Sequence, residues 1–247
     1  MKTSNPTLSS KTFTSIQKSI DSSQAMTIEG TVNKTLFLLI LLLMPAIWTW
    51  KLFFTKGPQA VIPFILGGAI CGFIVALVTI FKKQWSPITA PLYALLEGLF
   101  IGGLSAIFEA KFQGIVIQAV ALTFGTLFCL LTAYKSRIIK VTENFKLGVI
   151  SATGGIALLY LITVSLSFFG IQMPYIHNNG TIGIGFSIFV VIIAALNLVL
   201  DFDFIEKGAS YGAPKFMEWY GAFGLIVTLV WLYLEILRLL SKLNSRR

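Results

Sequence analysis

Seven long apolar runs constrain this 247-residue sequence more than any other feature. The chain is 56% apolar and 12% charged, whereas a soluble domain is about 45–50% apolar and about 25% charged. Each run is close to the ~20 residues that a helix needs to cross a bilayer. Because the runs do not alternate and their backbone must satisfy itself inside lipid, we predict an all-α integral membrane protein with seven transmembrane helices. The runs are Thr35–Trp50, Ala60–Phe81, Ala90–Phe108, Ile115–Tyr134, Leu147–Gly170, Ile182–Leu200 and Phe216–Leu240.

The chain begins with a polar segment, residues 1–31, which is rich in Ser and Thr. It lacks the apolar core of a secretory signal peptide, so we predict that it is an uncleaved tail. Phe13, Ile16 and Ile20 form a weak amphipathic stripe, so the tail either rests on the membrane surface or is disordered. Residues 32–247 are predicted to form the transmembrane bundle.

The distribution of basic residues predicts the orientation. The loops after the second, fourth and sixth runs contain eight Lys or Arg residues, and the loops after the first, third and fifth contain three. Since basic loops face the cytoplasm, we predict a cell-membrane protein with a cytoplasmic N-terminus. Seven spans would put the C-terminus outside, but its basic tail (Lys242, Arg246, Arg247) leaves a re-entrant last helix open. The net charge of +9 flanks the runs, so no nucleic-acid partner is expected.

Ionisable groups inside apolar runs are candidate functional residues because they are costly in lipid. Glu97 lies mid-run, beside a stripe of small residues on the third helix, and should point into the bundle. Asn197 and Asp201 share one face at the cytoplasmic end of the sixth helix, and Asp203 follows on another face. The alternative for Glu97 is a neutral, hydrogen-bonded side chain with a purely structural role. The alternative for Asp201 and Asp203 is that they form an ordinary acidic helix end.

Glu235 lies in the seventh run, at the end of a stripe with three-four spacing. Such a stripe is typical of a helix that lines a polar path. The alternative is a local pair with Arg238, three residues further along the helix.

The sequence contains few of the motifs that indicate an enzyme or a metal site. The only histidine is His177, in a loop predicted to lie outside, and neither HExxH nor GxSxG is present. Cys71 and Cys129 lie within apolar runs as isolated residues. We therefore expect no cofactor, no resident metal and no enzymatic activity. An intramembrane hydrolase, using Asp201 and a second acid, is the weakest of three functional hypotheses.

Several segments, in order along nearly the whole chain, resemble a bacterial branch of the Bax inhibitor (transmembrane Bax inhibitor motif) family. The end of the sixth helix resembles that family's Asp-bearing sixth helix, and Leu232–Leu240 resembles its Leu-Tyr-Leu-Asp segment with Glu235 in place of Asp. The segments that carry the resemblance are Ser4–Pro6, Met26–Thr35, Ala90–Gly98, Asn197–Glu206, Gly212–Tyr220 and Leu232–Leu240.

The resemblance implies a last helix that is central between two three-helix layers. It also implies a pH-sensitive calcium leak, gated by a carboxylate pair that carries over as Asp201 and Glu235. If the last helix is straight, Glu235 is too distant, and Glu218 becomes the better partner for Asp201, with Glu97 deeper. The implied partners are membrane lipid and Ca²⁺ or H⁺. A non-transporting protein that binds another membrane protein is the second hypothesis.

Overall fold

A computed structural model describes residues 25–169 and 180–246. Within these ranges the chain forms seven long α-helices and no β-strand. The helices are α1 (Ile28–Lys56), α2 (Ile62–Phe81), α3 (Ser86–Lys111), α4 (Ile115–Lys135), α5 (Glu143–Phe168), α6 (Thr181–Ser210) and α7 (Met217–Asn244). All seven are long and apolar enough to cross a membrane, which confirms the predicted spans. Phe13, Ile16, Ile20 and His177 lie outside the described residues.

Local sequence sets where several helices begin and end. The Thr27 side chain caps α1 by accepting a hydrogen bond from the amide of Gly30, and Thr142 caps α5 in the same way through Phe145. Gly57 ends α1 with a positive φ of 85°, a backbone conformation that glycine adopts without steric cost. Even the shortest helix, α2 with 20 residues, is about 30 Å long, enough for the hydrocarbon core.

Helix α7 is the most enclosed of the seven and packs against α1, α3, α4 and α6. Small residues allow close packing elsewhere: Gly98 and Gly102 of α3 lie directly against the backbone of α1. Helix α5 packs mainly on α6. A central last helix is consistent with these contacts, and the two three-helix layers stay a prediction.

One end of the bundle is held together by contacts between loops. Met26 donates a backbone hydrogen bond to Ala213, and the Ser86 hydroxyl donates to the carbonyl of Phe216. These contacts place the start of α1 beside the α2–α3 and α6–α7 connections. We call this end, with residues 25–27, 82–85, 136–142 and 211–216, the N-terminal face.

Two helix boundaries differ from the predicted runs in ways that matter for the site. Helix α6 continues to Ser210 rather than ending at Leu200, because Asp203 and Lys207 pair one turn apart and extend the helix beyond the apolar residues. Asp201 therefore lies nine residues, about 13 Å, inside the helix end. Helix α7 runs without a break past Gly221 and Gly224, so the break that would bring Glu235 to the level of Asp201 is not formed, and the side of the C-terminus stays a prediction.

Candidate functional site

A cavity of about 810 Å³ enters the bundle from the N-terminal face. Lys146 and Lys207 lie at its mouth, and Asn197, Asp201 and Thr228 are polar residues deeper along α6 and α7. We call it the Asp201 cavity. Its remaining lining comes from α2, α5, α6, α7 and the α6–α7 connection: Ala76, Ile80, Ile150, Leu200, Asp203, Phe204, Gly208, Tyr211, Ala213, Met217, Tyr220, Gly221, Phe223, Gly224 and Val227.

Asp201 has an incomplete set of partners. One side of its carboxyl group faces the Thr228 hydroxyl across the α6–α7 interface. The other carboxyl oxygen, Oδ2, is buried and makes no hydrogen bond with any described residue. A buried acceptor without a partner costs about 1–3 kcal/mol, and more when it is charged. Asp201 is therefore the least satisfied polar side chain of the cavity.

The closeness of α6 and α7 at this level depends on Gly224. A side-chain carbon added to Gly224 would lie 3.7 Å from Asp201 Oδ1, in ordinary van der Waals contact. The carboxyl group thus faces the backbone of α7 directly. Any change in its charge or hydration acts on the contact between these two helices.

Asn197 lies one turn deeper on the same helix face as Asp201. Its Nδ2 donates to the Thr153 hydroxyl of α5 and to the Ile193 carbonyl, both at 2.8 Å. Because both amide hydrogens are used, only the amide oxygen remains for a further partner. The face predicted from sequence is therefore formed, and it borders the cavity.

Asp203 belongs to the mouth of the cavity rather than to its interior. Its Oδ2 lies 2.7 Å from the Lys207 ammonium and 3.5 Å from that of Lys146. The two lysines come from different helices, so Asp203 joins α5 to α6. Unlike Asp201, this carboxylate is compensated by neighbouring charges.

Glu235 does not meet Asp201. Its Oε1 accepts hydrogen bonds of 2.9 Å from both Tyr160 of α5 and Arg238, and the residue is 2% exposed. Thr228 marks the level of Asp201, and Glu235 lies seven residues further, about 10 Å along the axis. The expected Asp201–Glu235 pair is therefore not formed, because α7 is continuous and Arg238 neutralises Glu235 locally.

Glu218 is not the partner of Asp201 either. Its buried carboxylate accepts hydrogen bonds of 2.8 Å from the amide and the hydroxyl of Thr27 and contacts the ammonium groups of Lys34 and Lys215. It lies ten residues before Thr228, about 15 Å toward the N-terminal face. This carboxylate joins the starts of α1 and α7.

Glu97 is buried, as predicted, but it lies between α3 and α2. It lies beside Tyr93 of its own helix, and its Oε2 would lie 3.3 Å from a side-chain carbon at Gly72. It is not among the residues that line the Asp201 cavity. Across the described parts of the chain, no three His, Cys, Asp or Glu side chains are grouped as a metal site requires.

Three residues of this arrangement were not predicted as site residues. Thr228 belongs to the stripe that ends at Glu235, and its position beside Asp201 depends on the register between α6 and α7. Lys34 and Tyr160 contact Glu218 and Glu235 from positions far away in sequence. The sequence gives a partial indication of the Lys34 contact, because a lysine near the start of α1 could pair with an acid near the start of α7.

The comparisons with known proteins agree with this architecture. A family model described as Bax inhibitor 1 like matches residues 5–245, which include all seven helices. No curated protein matches the chain, and no solved structure does. Because the family model covers nearly the whole sequence, the chain belongs to the Bax inhibitor 1 like family of membrane proteins.

Proposed function

We propose that this protein is a pH-sensitive leak for cations, with Ca²⁺ as the ion that passes, and that Asp201 is its gating residue. The observation that carries the proposal is the buried Oδ2 of Asp201, which makes no hydrogen bond with the described residues although Asp201 lines a cavity. Carboxylate, hydroxyl and amide oxygens are suitable ligands for Ca²⁺. Asp201, Thr228 and Asn197 supply one of each kind.

The gating step follows from the charge of a single carboxyl group. A neutral Asp201 suits the closed arrangement, in which Thr228 is its one described partner. A charged Asp201 needs water or a cation, and separation of α6 from α7 would admit either. Loss of the proton therefore favours opening along the α6–α7 interface. A second carboxylate, as the family resemblance implied, is not required for this step.

At the opposite end of the α6–α7 interface, hydrogen bonds between the two helices would keep the ion path closed. Lys242 of α7 donates to the Gly183 carbonyl at 3.0 Å and to the Ser187 hydroxyl at 2.9 Å, both on α6. Glu235 and Arg238 hold α7 to Tyr160 of α5. An ion that leaves the Asp201 cavity along α6 and α7 meets these contacts, so opening requires movement of α7 relative to α5 and α6.

Calcium influx into reconstituted vesicles tests the proposal. We expect the wild type to admit Ca²⁺ to an enclosed indicator dye at a rate that changes with pH, and Asp201→Asn to flatten that pH dependence. Glu29→Gln is the matched control, because Glu29 is exposed on α1 and does not line the Asp201 cavity. Wild-type vesicles without calcium flux, or an Asp201→Asn variant with unchanged pH dependence, would refute the gate. Silent vesicles together with a stably co-purifying membrane protein would support the interaction hypothesis instead.

A further inference from the structure

A second cavity system lies on the other side of α7 and is independent of the Asp201 cavity. Helices α1 and α4 both pack on α7 but do not pack extensively on each other. Two adjoining cavities, of about 770 and 390 Å³, fill the space between them and share Leu36, Leu39, Phe124 and Leu229. We call the combined space the α1–α4 groove.

The walls of the groove are apolar and face the bilayer. On α1, Leu36, Leu43 and Ile47 are each more than half exposed, and on α4 Phe128 is 62% exposed. The base of the groove is formed by α7 and includes Leu229. No other helix of the described chain covers this opening, so the groove meets the lipid directly.

The length of the groove matches a bilayer with one lipid chain from each leaflet. Along α1 it runs from Ile28 to Lys51, which is 23 residues or about 35 Å. Leu39 divides this length into two nearly equal halves, each close to half of the ~30 Å hydrocarbon core. Two acyl chains that meet end to end near Leu39 would fill the groove.

The ends of the groove carry positive charge at the depth of lipid headgroups. Lys51 and Trp50 lie at one end, and Lys51 is the only charged residue that lines the larger cavity. Lys135 and Arg137 lie at the other end, where Glu206 pairs with Arg137 and leaves a net positive charge. Basic and aromatic residues at these depths suit a phosphate group that carries a negative charge.

We infer that the α1–α4 groove is a binding site for anionic phospholipids, one from each leaflet, with their phosphates at Lys51 and Lys135 and their acyl chains against α7. Surrounding lipid would touch any exposed helix face. This groove differs because it is concave, extends through the bundle wall to α7, and has a basic residue at each end.

Native mass spectrometry of the purified full chain tests the inference. The delipidated protein is mixed with phosphatidylglycerol or phosphatidylcholine that have the same acyl chains, and the retained lipid is counted. We expect at least three-fold more retained phosphatidylglycerol than phosphatidylcholine. Leu39→Trp, which fills the middle of the groove, should lower retention of both lipids five-fold or more. Leu66→Trp is its control, because Leu66 is 57% exposed on α2, away from the groove.

The headgroup contacts are tested separately, with surface substitutions that leave the core intact. The double variant Lys51→Gln, Lys135→Gln should retain the two lipids equally. The double variant Lys56→Gln, Lys82→Gln removes the same charge away from the groove and should keep the preference. Equal retention of both lipids by the wild type, or equal loss in Leu39→Trp and Leu66→Trp, would overturn the inference.

Discussion

Lys34 on α1 and Glu218 on α7 form an ion pair at the N-terminal face, and the carboxylate side chain is fully enclosed. Thr27 and Lys215 complete its partners. One side chain therefore joins the first and the last described helices, which are separated by most of the sequence. The contact also holds the start of α7, the helix whose movement the proposed gate requires.

Substitution of Glu218 should lower stability markedly. Glu218→Gln leaves Lys34 and Lys215 without a counter-charge, and removal of one partner from a buried pair costs about 3–5 kcal/mol. We expect the free energy of unfolding in detergent to fall by about 3 kcal/mol, since Lys34 is partly exposed, with a Tm lower by roughly 6–12 °C. Glu143→Gln, which alters a surface pair, should change stability by less than about 1 kcal/mol. Equal effects of the two would contradict a structural role for the enclosed pair.

Gly30 should tolerate no side chain. A carbon added there would lie 2.2 Å from Glu218 Oε1, and the carboxylate can move away only by losing its bonds to Thr27 and Lys34. We expect Gly30→Ala to lower the Tm by several degrees. Gly67→Ala is the matched control, because no atom lies within 4 Å of the added carbon and alanine favours a helix by about 1 kcal/mol. A Gly30→Ala variant as stable as Gly67→Ala would show that Glu218 is not held as described.

The α1–α3 contact should be equally sensitive to small additions. A carbon added at Gly98 would lie 2.2 Å from the carbonyl oxygen of Leu42, a backbone atom that moves only with its helix. Overpacking of this kind typically costs about 1–3 kcal/mol, so Gly98→Ala should be clearly less stable than the wild type. Gly148→Ala, on an open face of α5, should not be. Thermal unfolding of both variants in one detergent measures the difference.

Asp201 should contribute to function at the expense of stability. Its unpartnered oxygen is a cost to the closed structure, of about 1–3 kcal/mol for a buried polar group. We therefore expect Asp201→Asn to leave the Tm unchanged or slightly raised, while calcium flux loses its pH dependence. A large drop in Tm would indicate that Asp201 stabilises the bundle and would weaken its assignment as a gate.

The two chain ends should lie on opposite sides of the membrane. Helix α7 is continuous over 28 residues, about 42 Å, and begins at the N-terminal face, where α1 also begins. A fluorescent-protein fusion at the N-terminus should fluoresce in the cytoplasm, and an alkaline phosphatase fusion at the C-terminus should be active outside. A fluorescent C-terminal fusion would mean that α7 does not cross the membrane.

Much of the site could be predicted only as a set of candidate residues. Glu97 and Asn197 are where the spacing placed them: buried within the bundle and on the same face as Asp201. The Glu235–Arg238 pair was one of the stated alternatives, and it is formed. The other partners could not be predicted, because hydropathy does not report how far a helix continues once its residues become polar. Because α6 extends to Ser210, Asp201 lies inside the helix rather than at its end. Because Arg238 pairs with Glu235, Glu235 is not a partner of Asp201.

By itself, the sequence determined that the chain crosses a membrane seven times as helices, because runs of ~20 apolar residues can satisfy their backbone in lipid in no simpler way. It also determined which few carboxyl groups lie within those helices and which family the chain resembles. The tertiary structure alone decided that Asp201 lies beside Thr228 rather than beside another acid, and that Glu218 is neutralised by Lys34. The physical reason is that such contacts depend on the register and rotation of neighbouring helices, which many small packing contacts set together.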